Sequence, residues 1–211
     1  MNTKKGFTRQ NFSKKNLVGF TLLELLIVIG ILAILSTTIV LVINPAELLR
    51  KARDSQRISD LNTLKTAIAY YVTEASSPNI GSLYSTQTYS DVPGVKCGST
   101  NEATATGYTV DGNGWIPIKF TELTGGSPIG ALPTDPNITD KDDNPAYYYV
   151  YLVGSTTDYT FKLVANMESS YYGGGGGDVE STDGGVDDNL YEVGTDMSIS
   201  IASGTNCFNS S

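Results

Sequence analysis

Apolar residues fall into three regimes along this chain. From Phe20 to Ile43 they form a run of 24 residues in which Glu24 is the one charged position. At 1.5 Å rise per residue, a helix of that length crosses a hydrocarbon core of about 30 Å with some tilt. The run therefore predicts at least one membrane-inserted segment. From about Pro45 to Ala75 the pattern turns amphipathic. Leu48, Ala52, Leu61, Leu64, Ile68, Tyr71 and Val72 recur at spacings of three, four or their multiples, while Arg50, Lys51, Arg53, Asp54, Arg57, Asp60 and Lys65 occupy the other faces. Together the two stretches predict one long N-terminal helix, interrupted near Pro45, where a missing donor and a ring clash kink or locally melt it.

After Ala75 the composition shifts to Ser, Thr, Gly, Asn and Asp. Turn signals stand at Ser77-Pro78-Asn79, Val92-Pro93-Gly94, Asp111-Gly112-Asn113-Gly114 and Thr124-Gly125-Gly126. Short β-prone runs appear at Trp115 to Phe120, Ala146 to Val153 and Tyr159 to Ala165, with Gly154 to Asp158 as a hairpin loop between the last two. In the third run Tyr159, Phe161 and Leu163 alternate with Thr160 and Lys162, the mark of a strand with one face on a core. The helix from Pro45 to Ala75 is the natural cover for that face. The expected fold class is α+β, a long N-terminal helix packed on a small antiparallel sheet.

Charge divides the chain in the same way. Lys4, Lys5, Arg9, Lys14 and Lys15 precede Phe20 with no acidic residue among them, so the positive-inside rule keeps residues 1–19 cytoplasmic and exports the C-terminal remainder. The apolar run is too long for the core of an ordinary secretory signal, and a small-residue cut site at Leu32 to Thr38 would fall in mid-membrane. Cleavage after Gly19 fits better. Without its leader the chain keeps 9 basic and 22 acidic residues, a net charge of −13. That balance opposes general nucleic-acid binding and suits a soluble exterior or a cation-binding surface. The expected organisation is a leader at 1–19, a transmembrane helix at 20–43, an amphipathic helix at 44–75 and an exported head at 76–211, with room for one core of roughly 130 to 165 residues.

A lone ionised Glu four residues into a membrane segment costs at least a few kcal/mol and calls for a positive partner. Gly19, Phe20, Thr21 and Glu24, with the Lys-rich stretch before them, resemble the class III leader of type IV pilins and type II secretion pseudopilins. The resemblance implies cleavage by a prepilin peptidase between Gly19 and Phe20 and N-methylation of Phe20. It also implies a partner for Glu24: the freed amino group on Phe20 of a neighbouring subunit in a helical homo-oligomeric filament. A carboxylate unpaired in the monomer and paired in the assembly favours assembly and fixes its register. An ordinary signal anchor that carries a Glu is the bland alternative. The charged cluster from Arg50 to Asp60 can dock on neighbours or lipid headgroups, or be a solvated face.

A second resemblance covers the C-terminal half. Leu132-Pro133-Thr134-Asp135-Pro136, then Tyr147-Tyr148-Tyr149, then Tyr159 to Leu163 and an Asp- and Gly-rich tail, are similar in order to major pseudopilins of the type II secretion system. In that family the proline-aspartate stretch leads into the sheet and a subsequent acidic loop binds calcium. Where the family carries a short Trp-Gly link, this chain has Asn137 to Asn144. The resemblance implies Ca²⁺ held by Asp183, Asp187 and Asp188. Asp140, Asp142 and Asp143 form a second candidate set. Hard oxygen ligands on a wrapping loop suit that ion, although the spacing matches no EF-hand and such a stretch is often only solvated. Cys97 and Cys207 are the only cysteines, both in the exported part, and pair if the compartment is oxidising.

Enzyme readings find little support. The chain has no His, which removes His-based triads and metal sites. No carboxylate spacing singles out an acid and a base, and no Gly-Lys-Ser/Thr comes after Gly173 to Gly177 to make a phosphate loop. The tyrosines from 147 to 172 read as sheet core and subunit packing. The sequence therefore points to a non-enzymatic filament subunit, held in the bacterial inner membrane until an assembly platform and its ATPase machinery extract it into a pilus or pseudopilus. Two alternatives stand beside it. One is a minor pilin that binds DNA, a surface or a secretion substrate at a filament tip; the other is a single-pass anchored exodomain that never polymerises.

Overall fold

The computed structural model describes residues 19–81, 88–90, 107–137 and 147–199. The chain divides into two compact units, Met1–Asn44 and Pro45–Ser211.

In the first unit helix α1 spans Leu22–Ile43. Thr21 caps it, its hydroxyl accepting from the Glu24 amide at 3.2 Å. Thr-x-x-Glu is the capping-box sequence, and an acid in the first turn complements the helix dipole. Ser36, Thr37 and Thr38 sit in the middle of the apolar run, yet each hydroxyl donates to the carbonyl one turn back, at 2.7, 2.9 and 2.9 Å. Their hydrogen-bonding capacity is met inside the helix, which makes them tolerable in lipid. Asn44, at φ 43°, ends α1 in the left-handed conformation.

The second unit opens with helix α2, Pro45–Glu74. The interruption expected near Pro45 is present, as a break between two helices at Asn44 and not as a kink within one. Pro45 occupies the first position of α2, where its fixed φ is preorganised and its missing N–H would have had no partner. The inward stripe also differs from the expected one. Leu61, Leu64, Ala67, Ile68 and Tyr71 are buried as the periodicity requires, but the stripe continues toward the N-terminus through Arg57 and Asp54, both wholly inaccessible. Leu48 and Ala52 face solvent.

The sheet is a four-stranded antiparallel meander, β1 Thr88–Ser90, β2 Val150–Ser155, β3 Thr160–Ala165 and β4 Tyr191–Gly194, in that spatial order. Tyr151 pairs with Leu163, which pairs with Val193. Tyr149, Tyr151, Val153, Phe161, Leu163, Ala165, Tyr191 and Val193 join the α2 stripe in one core, as expected for the Phe161 and Leu163 face. The β2–β3 turn is shorter than Gly154 to Asp158, because Gly154 lies within β2 at an irregularity in the register. A Cβ on Gly154 would stand 2.6 Å from Ile199 Cδ1 and 2.7 Å from Thr160 Oγ1, so any larger residue requires those side chains to shift.

Two expectations fail. Trp115 to Phe120 is not a strand. Its Trp115, Ile116, Ile118 and Phe120 are buried in the core, but the segment is held by an isolated bridge from Asp111 to Lys119, by the bond from the Trp115 amide to the Gly107 carbonyl, and by a single 3-10 turn at Phe120–Glu122. The other sheet face is also not solvated: Val150, Leu152, Lys162, Val164 and Glu192 are all buried. Strand β4 itself lies inside the acidic, glycine-rich tail.

Candidate functional site

The first candidate is the N-terminal edge of α1. Gly19 has open space around it and Phe20 is 84% exposed. From Leu22 to Ile39 the helix is long and apolar enough to cross a membrane, and none of it is buried within the chain. Such a continuous apolar surface requires a cover of lipid or protein. Glu24 projects from that surface, and its carboxylate has no ion-pair or hydrogen-bond partner among the described residues. Its own amide is used in the cap. The structure thus brings Gly19, Phe20 and Glu24 together in one exposed segment.

The second is an ionic cluster on the N-terminal half of α2, which the sequence pattern does not reveal. Arg57 holds Asp135 with two parallel bonds, Nε to Oδ2 and Nη2 to Oδ1, both 2.7 Å. It also donates to Asp54 Oδ1 and Glu168 Oε1, both at 2.6 Å. Arg53 grips Glu168 from the exposed side at 2.9 and 2.5 Å. Asp54 in turn accepts from the amides of Glu168 and Ser169 at 2.9 and 2.8 Å. The Tyr147 ring lies 4.9 Å from the Arg57 guanidinium carbon. Burial alone would raise the Glu168 carboxyl, but its bonds to Arg53 and Arg57 outweigh that and hold it below its ordinary value. Burial likewise opposes the charge on Arg57, and Asp135 and Glu168 more than restore it. Nearby, the Tyr149 hydroxyl donates to Asp60 at 2.9 Å, and burial together with the field of Asp60 raises the Tyr149 pKa.

These bonds give the Leu132 to Pro136 stretch a concrete task. Asp135 anchors α2 to the segment that comes before β2, while Glu168 and Asp54 anchor it to the loop that leaves β3. Every charged group in the cluster is engaged by another or by backbone, so the cluster fixes geometry. The sequence signal for it is the stripe itself: counting from Leu61 toward the N-terminus by four and then three residues lands on Arg57 and Asp54.

The third is the acidic tail. Asp183, Asp187 and Asp188 do not converge on one point. Asp183 accepts from the Gly185 amide at 2.7 Å and the Glu192 amide at 2.5 Å, one on each carboxylate oxygen. Asp187 Oδ1 accepts from the amide and side chain of Asn189, at 3.1 and 3.2 Å. Asp188 is exposed. Among the described residues no group of three or more acids or thiols is placed to hold a metal ion. Both carboxylate oxygens of Asp183 and one of Asp187 thus accept from the chain's own N–H groups. Glu180 lies under the glycine run, accepting from the Met167 amide at 3.1 Å, and burial pushes its carboxyl up to about 7. Asp140, Asp142, Asp143, Cys97 and Cys207 lie outside the described residues.

Comparison with protein families, curated proteins and solved structures finds no match to this chain.

Proposed function

We propose that this chain is the structural subunit of a type IV pilus or a type II secretion pseudopilus. The observation that carries the reading is the exposed apolar helix α1, with Glu24 in its first turn unpaired among the described residues, directly after the Gly19–Phe20 junction and a basic leader sequence. Lipid covers the apolar surface but leaves Glu24 without a cation; a filament covers the same surface and supplies one. On this reading a prepilin peptidase cuts between Gly19 and Phe20, the new amino group is N-methylated, and it pairs with Glu24 of an adjacent copy. The subunit waits as a single-pass protein of the bacterial inner membrane until the assembly platform and its ATPase extract it. The apolar helices then form the centre of the filament, and the acidic heads form its sheath. The protein works as a scaffold and not as an enzyme.

The test is the mature N-terminus, measured by mass spectrometry on membrane and sheared fractions of producing cells. N-methylated Phe20 in sheared material is the expected result. An intact Met1 confined to the membrane, in cells with an active prepilin peptidase, overturns the proposal in favour of an anchored exodomain. Glu24→Ala is expected to insert normally and to lose filaments, and a wild-type filament yield from that variant contradicts the assigned role of Glu24.

A further inference from the structure

We propose that the ammonium group of Lys162 is the resident structural cation of the acidic loop 183–197, so that this loop is organised by the chain itself and not by a metal ion. The inference concerns the head alone and stands whether or not the chain polymerises. Lys162 lies in the middle of β3, on the face opposite Phe161 and Leu163, and is wholly buried. A lysine in that position requires a desolvated partner. The register supplies one. Lys162 stands opposite Gly194 and Glu192 opposite Val164, so the two side chains are diagonal neighbours on one face, within reach of each other. Nζ donates to Glu192 Oε1 at 2.5 Å and to the Met197 carbonyl at 3.4 Å.

From that pair the order spreads outward. The second oxygen of Glu192 accepts from the amides of Val186 and Asp187, at 2.5 and 3.4 Å. Asp183 then clamps the Gly185 and Glu192 amides. Glu192 Oε2 occupies the space a Cβ on residue 185 would need, which explains a glycine there. The loop thus closes on a carboxylate whose charge is balanced by Lys162. A calcium ion takes six to eight oxygens at 2.3–2.6 Å. Asp183 already spends both its carboxylate oxygens on the Gly185 and Glu192 amides, and Asp187 one of its own on Asn189. An internal ammonium holds the loop in any medium, whereas a metal-held loop depends on the concentration of the ion.

Hydrogen exchange of the full chain in detergent, read by mass spectrometry on peptides covering 183–197, tests this. Wild-type protection is expected to be equal in calcium chloride and in EDTA. Lys162→Met is expected to exchange in this loop roughly 10- to 100-fold faster, the ratio that losing a hydrogen bond between charged groups implies. Glu192→Gln keeps a carbonyl for the Val186 amide and removes only the charge, so it provides the same reading should Lys162→Met fail to fold. In it the loop is expected to exchange faster while the α2 amides from Leu61 to Tyr71 keep their protection. Faster loop exchange of the wild type in EDTA overturns the proposal, as does wild-type protection in a folded variant at either position.

Discussion

Arg57→Met isolates the contribution of the ionic cluster on α2. The wild-type side chain is wholly buried and engages Asp54, Asp135 and Glu168 at 2.6 to 2.7 Å. Methionine matches the aliphatic length but leaves Asp135 with no guanidinium and Glu168 with Arg53 alone. Removing one partner of a buried pair costs about 3–5 kcal/mol, against about 5–15 kcal/mol for the stability of a whole domain. For a unit of this size, at roughly 2–4 °C per kcal/mol, the melting midpoint should fall by roughly 6–20 °C. The assay is thermal unfolding of the full chain in detergent, monitored by near-ultraviolet circular dichroism. Acid provides an internal control. The Glu168 carboxyl lies below its ordinary value of 4.5 in the folded state, so its stabilisation is complete above that pH and is lost as the pH falls through the lower folded value. The gap between wild type and variant must therefore narrow in acid. Adding Asp135→Leu should recover part of the loss, because the buried charge that Arg57 balanced is then removed as well. A drop below about 1 kcal/mol at pH 7, on the scale of an exposed ion pair, would refute the reasoning.

Glu180→Gln addresses the opposite shift. A carboxyl raised to about 7 when folded, from 4.5, makes the native state bind the extra proton, so wild-type stability falls as the pH rises from 4.5 through 7. The glutamine variant should lack that decline and melt above wild type at pH 8, as parallel scans at pH 5 and pH 8 will show; equal slopes contradict the assignment. Leu64→Ala removes a fully buried side chain from the contact of α2 with the sheet and should cost about 2–5 kcal/mol in denaturant unfolding. Leu48→Ala, on the exposed face of the same helix, should change stability by less than about 0.5 kcal/mol, and a larger loss would mean that the inward stripe is misplaced.

The apolar run, the amphipathic helix and the β2–β3 hairpin are legible in the sequence because each is a local periodicity, and the structure returns them within a few residues. The features that escape are decided by partners remote in sequence. Arg57 reads as a surface charge until Asp135 and Glu168, 78 and 111 residues away, meet it. Lys162 reads as the polar half of an alternating strand until Glu192 covers it. Strand β4 has only four residues within a glycine- and aspartate-rich tail, too short to outweigh a composition that signals loop. Trp115 to Phe120 has the residues of a strand but, among the described residues, no neighbour to pair with beyond one bridge, and its rings are used to fill the core. The Gly19, Phe20 and Glu24 segment is the opposite case, since its character lies wholly in contiguous residues.

The spacing of the Arg57 partners sets a timetable for folding. Helix α2 leaves the ribosome early, but the second and third of its anchors emerge much later, and at about 5–20 residues per second the interval to Glu168 is roughly 5 to 20 s. During that time Asp54 and Arg57 have only each other, and Leu61, Leu64 and Ile68 have no sheet to cover them. The nascent head is thus an amphipathic helix whose apolar stripe lacks its counterpart for most of its synthesis. Its exposure to chaperones and proteases is greatest before residue 168 appears and ends when the last two strands close over it.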